Sequence, residues 1–130
     1  MFKISKQSDY GLLFLEYLKG KDDFVSLKEI IEKTKLPKRF LARIASKLAQ
    51  EKIVESKEGK VGGYRLTEKI KKMTLYDYLL LFEDLKITSC VDENFHCPWE
   101  KSCQHKNFFN NKLEKIFINS LKKEKLLKII

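Results

Sequence analysis

Proline and glycine are scarce in this chain, two and five residues among 130. That scarcity excludes a collagen-like, linker-dominated or disordered polypeptide. No apolar run approaches the roughly 20 residues that span a bilayer, so no membrane partner is expected. The opening Met1-Phe2-Lys3-Ile4-Ser5-Lys6 lacks the apolar stretch of a secretory leader, which points to a cytoplasmic protein. Three cysteines are an odd number for a disulfide framework. In a reducing compartment, clustered thiols are more often ligands or reactive groups than bridges. A phosphate loop, paired catalytic carboxylates and a nucleophile with a nearby base are also missing, so the chain does not read as an enzyme.

What is present is apolar residue and positive charge. Forty-three per cent of the residues are hydrophobic, enough at this length for one core without staples. Lys and Arg number 27 against 18 Asp and Glu, a net charge of +9. A basic surface attracts nucleic acid, anionic lipid or acidic protein.

Apolar periodicity orders the chain into short elements. Tyr10, Leu13, Phe14, Tyr17 and Leu18 predict a helix over residues 9–19, capped by Asp9 and closed at Gly20. Ser26 caps a short second helix, with Glu29 completing a capping box and Leu27, Ile30 and Ile31 facing the core. Pro37 fits the first turn of a third helix that runs to about Gln50 and buries Phe40, Leu41, Ile44, Ala45 and Leu48. Residues 53–56 and 64–66 read as a hairpin around a glycine-containing turn. Thr74 with Asp77 opens a fourth helix that buries Leu75, Tyr78, Leu79 and Phe82. Periodicity vanishes over 87–106, and a final long helix starts near Asn107 with a stripe from Phe109 to Leu121.

Three helices followed by a hairpin is the order of a winged helix-turn-helix, so the fold class is mostly α with a small β-hairpin. The DNA-binding domain is expected over residues 1–70, followed over 71–130 by a helical region that contains the cysteine loop. The third helix would enter a major groove about 12 Å wide. Lys38 and Arg39 lie in its first turn, with Arg43 and Lys47 one and two turns on. Lys57 and Lys60 sit in the wing, where Gly62 and Gly63, next to Tyr64, shape the turn and permit close approach to phosphate. The alternative for such charges is a merely solvated face. Net charge, element order and placement together favour DNA.

Cys90, Cys97 and Cys103 stand with six and five residues between them. Thiolates bind zinc and iron strongly. From spacing alone, a metal site and three unremarkable thiols stand equally, and zinc is not separated from iron–sulfur. Three cysteines also leave one ligand short of four. His96 and His105 are local candidates, and Asp9 is a distant one.

Ser8-Asp9-Tyr10-Gly11-Leu12, Phe40-Leu41, Val61-Gly62-Gly63-Tyr64-Arg65-Leu66 and the three-cysteine loop together resemble the bacterial winged-helix regulators that include IscR and NsrR. The resemblance covers nearly the whole chain, in order. It implies a homodimeric transcription regulator whose long C-terminal helices pair, so that the region over 71–130 supplies the dimerisation helix. It also implies that Cys90, Cys97 and Cys103 hold a 2Fe–2S or 4Fe–4S iron–sulfur cluster. For the fourth ligand, Asp9 matches the NsrR-like position, supplied by the partner subunit, and His105 is the alternative. Two details depart from the pattern: His105 follows Cys103 one residue early, and Glu58 stands where many relatives carry an Arg. The expected function is a dimeric repressor on palindromic double-stranded DNA that senses iron–sulfur status, nitric oxide or redox stress. The alternative is a winged-helix regulator without a cluster, zinc-bound or using thiol oxidation. A basic protein that binds RNA or an acidic partner is a further rival.

Overall fold

The computed structural model describes residues 3–130; Met1 and Phe2 of the opening stretch lie outside them. Helices α1 (Lys6–Leu18), α2 (Leu27–Thr34) and α3 (Lys38–Gln50) precede strands β1 (Val54–Lys57) and β2 (Gly63–Leu66). The strands pair antiparallel, with Val54 opposite Leu66 and Lys57 opposite Gly63. A 3-10 segment, Glu68–Lys72, leads to the short α4 (Leu75–Leu79). Beyond the cysteine loop, residues 106–123 form one continuous helix, α5, wound as a π-helix over Phe109–Leu113. The last helix, α6, is Leu126–Ile129. Mostly helical with one hairpin, this is the winged helix that the sequence predicts.

Several local expectations are corrected. The first helix begins at Lys6, because Ser5 is its cap and accepts the Ser8 N–H at 3.3 Å. Asp9 is therefore not the cap; it lies inside the helix with an exposed side chain. Ser26 does cap α2, accepting from Glu29 N at 3.1 Å. Glu29 closes no capping box there, since its carboxylate accepts the Tyr17 hydroxyl at 2.8 Å. Pro37 stands at the cap position of α3, with extended ψ of 129°, rather than in its first turn. Phe40 is not buried. The inward stripe of α3 is Leu41, Ile44, Ala45 and Leu48, which leaves Phe40 on the flank, edge-on to Tyr10 at 5.6 Å. The capping box at Thr74 and Asp77 forms, yet α4 stops at Leu79, and Phe82 packs from the following turn with its ring 5.5 Å from Tyr78.

The core is one cluster that runs from Phe14, Leu15 and Leu18 of α1 through Ile30, Leu41 and Ile44 to Tyr78, Leu79 and Leu126. Tyr78 joins the two halves of the chain by donating its hydroxyl to Ser8 O at 2.6 Å. Gly11 makes room for it, since a Cβ there would lie 2.1 Å from the Tyr78 oxygen. The end of α5 is stitched to the start of α4: Leu75 N donates to Glu124 O at 2.8 Å and Leu126 N to Met73 O at 3.0 Å. Leu126 is fully buried behind that stitch.

Candidate nucleic-acid interface and thiol cavity

Lys38, Arg39 and Arg43 are exposed along one side of α3, and Lys47 is half-buried. Lys47 and Arg43 also line a groove of about 250 Å³ with Gln7, Ile44, Leu81 and Phe82. Among the described residues, none of these four cations forms an ion pair, so their charge remains available to phosphate or base edges.

The wing is braced by a residue that periodicity did not reveal. Val25 N donates to Tyr64 O at 2.9 Å and Tyr64 N to Val25 O at 2.8 Å, adding a one-residue strand beside the hairpin. Gly63 permits that approach: its φ is +148°, and a Cβ would sit 2.1 Å from Val25 O. Gly62 is also required, because a Cβ there would sit 2.1 Å from Lys57 O. Tyr64 turns its ring onto Phe14 at 5.7 Å, so its side chain anchors the wing to α1. Lys57 lies over the Phe24 ring at 5.7 Å, and Lys60 is exposed in the turn.

Cys90, Cys97 and Cys103 are brought together. They line one cavity of about 30 Å³ with Phe95, Glu100 and Lys106. All three thiols are free and half-buried. His96 and His105 are exposed and do not line it; the His105 ring stacks edge-on to Phe109 at 5.0 Å. Asp9 of the same chain lies elsewhere, in a surface depression formed with Lys3, Ile4, Ser5 and Lys6. Three thiols on one cavity are a donor set that fits iron or zinc. Among the described residues, however, no three His, Cys, Asp or Glu side chains are placed to hold a single metal ion. The three thiols fit such a group in their chemistry, but not in their present placement.

Glu100 and Lys106 escaped sequence reasoning, since a loop without periodicity gives no sign of which polar residues face its thiols. The Lys106 ammonium bonds to the Glu100 carboxylate. That bond holds Lys106 above its ordinary 10.5, with Cys90 and Cys97 adding to the effect. Lys106 in turn holds Glu100 below its ordinary 4.5. Where the loop meets α5, Thr88 Oγ1 and Asn110 Oδ1 are buried without a protein hydrogen-bond partner.

Glu83 ties the segment before this loop to the start of α1. Its Oε1 accepts from Ser5 N at 2.7 Å and from the Ser8 hydroxyl at 2.6 Å. Burial pushes Glu83 up, but the bonds from Ser8 and Ser5 outweigh it and hold the carboxyl below its ordinary 4.5. Burial, with the charges of Asp9 and Glu83 nearby, pushes Tyr78 well above its ordinary 10.0, so it stays a donor to Ser8 O.

A braced wing beside a helix of exposed cations is the arrangement of a winged helix-turn-helix. Residues 4–130 match the family described as Rrf2, iron-dependent transcriptional regulator, and the chain belongs to that family. It is 36% identical over 76 residues to an HTH-type transcriptional regulator of Aquifex aeolicus, a match that takes 58% of this chain and 53% of that protein. Against this relative and BadM of Rhodopseudomonas palustris, the chain spans about half the relative's length, 53% of each. It is 26% identical over 115 residues to the regulator NsrR of Bacillus licheniformis, covering 85% of this chain and 80% of that one. The structure of CymR, the global cysteine regulator of B. subtilis, superposes with a TM-score of 0.74 at 24% identity, over 99% of this chain and 96% of CymR. IscR of T. potens does so with a TM-score of 0.65 at 24% identity, over 98% and 85%. These two are likenesses of fold. Among the described residues, no helix is long and apolar enough to cross a membrane.

Proposed function

We propose that the chain is a homodimeric repressor that reads a palindromic duplex and senses iron–sulfur status, nitric oxide or redox stress. In this reading residues 1–70 bind DNA, while 71–130 dimerise and sense. Cys90, Cys97 and Cys103 would hold a 2Fe–2S or 4Fe–4S cluster, with the partner subunit's Asp9 as fourth ligand. The carrying observation is the single cavity that all three thiols line at the foot of α5. Asp9 supports the reading by being exposed and unneeded as a cap. Bound there, the cluster would supply an iron centre open to attack by nitric oxide or oxidants.

The chain's own residues do the rest. Phe108 and Ile116 of α5 are apolar and exposed, a face on which two such helices can pair. Two-fold symmetry would set the two α3 helices about 34 Å apart, in successive major grooves. Arg39 and Arg43 would then meet base edges, while Lys57 and Lys60 of the wing meet phosphate. Reduced thiols and a chromosomal target both suit the cytoplasm.

A second reading, a cluster-free regulator whose thiols are themselves oxidised, is favoured by the lack of a placed three-donor metal group among the described residues. Anaerobic purification separates the two. The cluster reading expects a brown protein containing iron and sulfide, lost in Cys97→Ala and fragile in Asp9→Ala. Protein that stays colourless and iron-free after reconstitution refutes it. If Asp9→Ala matches the parent while His105→Ala bleaches, His105 is the fourth ligand. On a duplex selected by the protein from a random pool, Arg39→Ala or Arg43→Ala is expected to lose about 1–3 kcal/mol, and less on random DNA. Equal losses on both would restrict these residues to phosphate contact.

A further inference from the structure

Three thiols, an ammonium and a carboxylate share one small cavity, and the last two are already bonded to each other. The Lys106 ammonium stands on the first residue of α5, and Glu100 comes from the turn between Cys97 and Cys103. Among the described residues, theirs is the only ion pair between the cysteine loop and α5. The thiols line a small cavity, about 30 Å³, and among the described residues no three donor side chains are placed to hold one metal ion. Ligation by all three sulfurs therefore requires the loop to shift.

We propose that the Lys106–Glu100 pair is a gate on metal uptake: it holds the cysteine loop closed, and the thiols are filled only when the pair breaks. The proposal rests on reading the three cysteines as ligands, and it adds what regulates their filling. Charge works in the same direction, because the closed gate keeps an ammonium on the wall of a cavity that must receive a cation. The loop has little else of this kind to hold it. Where it meets α5, the buried oxygens Thr88 Oγ1 and Asn110 Oδ1 bond to no protein group. The pair Lys86–Asp92, at 3.2 Å, lies within the loop itself and would move with it.

The test uses the metal-free full chain under anaerobic conditions, with cobalt(II) as the probe, read by its thiolate charge-transfer absorbance. Cys97→Ala should lose that signal, which identifies it with the cavity. Lys106→Met is expected to bind cobalt about two- to five-fold more tightly than the parent, the worth of one partly exposed ion pair. The same change in a Glu100→Gln background should gain nothing, and added salt should narrow the gap between parent and Lys106→Met. Weaker or unchanged binding in Lys106→Met overturns the gate, while leaving the ligand reading intact. An equal gain in both backgrounds also overturns it, since Lys106 would then act as a lone charge. If no variant and no parent protein binds cobalt, the ligand reading falls and the gate falls with it.

Discussion

Alanine at Gly11 would test how α1 is seated on the rest of the molecule. Inside a helix, Gly→Ala ordinarily stabilises by about 1 kcal/mol. Here the added Cβ would lie 2.1 Å from the Tyr78 oxygen and 3.5 Å from Ile44 Cγ2. Tyr78 has nowhere to go: it is fully buried, and its hydroxyl is committed to Ser8 O at 2.6 Å. Overpacking of this kind costs about 1–3 kcal/mol, and losing the hydrogen bond about 1 kcal/mol more. Set against the helix gain, Gly11→Ala should destabilise by about 1–3 kcal/mol. With a slope near 2 kcal/mol per molar, the urea midpoint should fall by about 0.5–1.5 M. Adding Tyr78→Phe removes the atom that is struck and leaves Cζ at 3.3 Å. The double variant should therefore be more stable than Gly11→Ala alone, a sign reversal that independent sites do not show. A midpoint at or above the parent's, or no rescue by Tyr78→Phe, refutes the reasoning.

Glu83→Gln should destabilise by about 1 kcal/mol at neutral pH, because it removes charge-assisted bonds at the start of α1. The Glu83 carboxyl is held below its ordinary 4.5, so its contribution is present above that value and is lost as the pH falls through its lowered pKa. Urea midpoints of parent and variant should therefore converge in acid; a gap that persists at pH 2 would contradict the assignment. Gly63→Ala should destabilise by about 1–3 kcal/mol and weaken duplex binding, since its Cβ would meet backbone at Val25. Gly59, with φ of +107° and no neighbour within 4 Å, should lose only about 1 kcal/mol on the same change. Equal losses at the two glycines, read by urea denaturation, would rule out the Val25 brace.

Much of the fold was legible because its signals are local. Ser26, Thr74 and the stripe Leu41, Ile44, Ala45 and Leu48 announce their helices through caps and period alone. The errors come where two residues offer the same signal. Ser5 and Asp9 are both good caps, and Ser5 prevails because Ser8 N is in reach and Glu83 binds the same turn. Phe40 is apolar and adjacent to the stripe, yet the helix can turn only one side inward. Val25 is a strand of a single residue, created by a partner far along the chain, and no window around it contains that information. The site divides in the same way. The cysteines are conspicuous by type, whereas Glu100 and Lys106 become visible only when folding puts them on the same cavity wall.

The stitch between residues 73–75 and 124–126 also has a mechanical consequence. With Leu126 sunk in the core, the far end of α5 is tied to the winged-helix half, so a tilt of the helix would carry that half with it. Eighteen helical residues make α5 an arm about 27 Å long, and tilting it by about 10° sweeps its end through about 5 Å. That sweep exceeds the spacing of adjacent base pairs, about 3.4 Å. If two chains pair through α5 as proposed, a tilt of about 10° between the arms would move each head by more than one base-pair step.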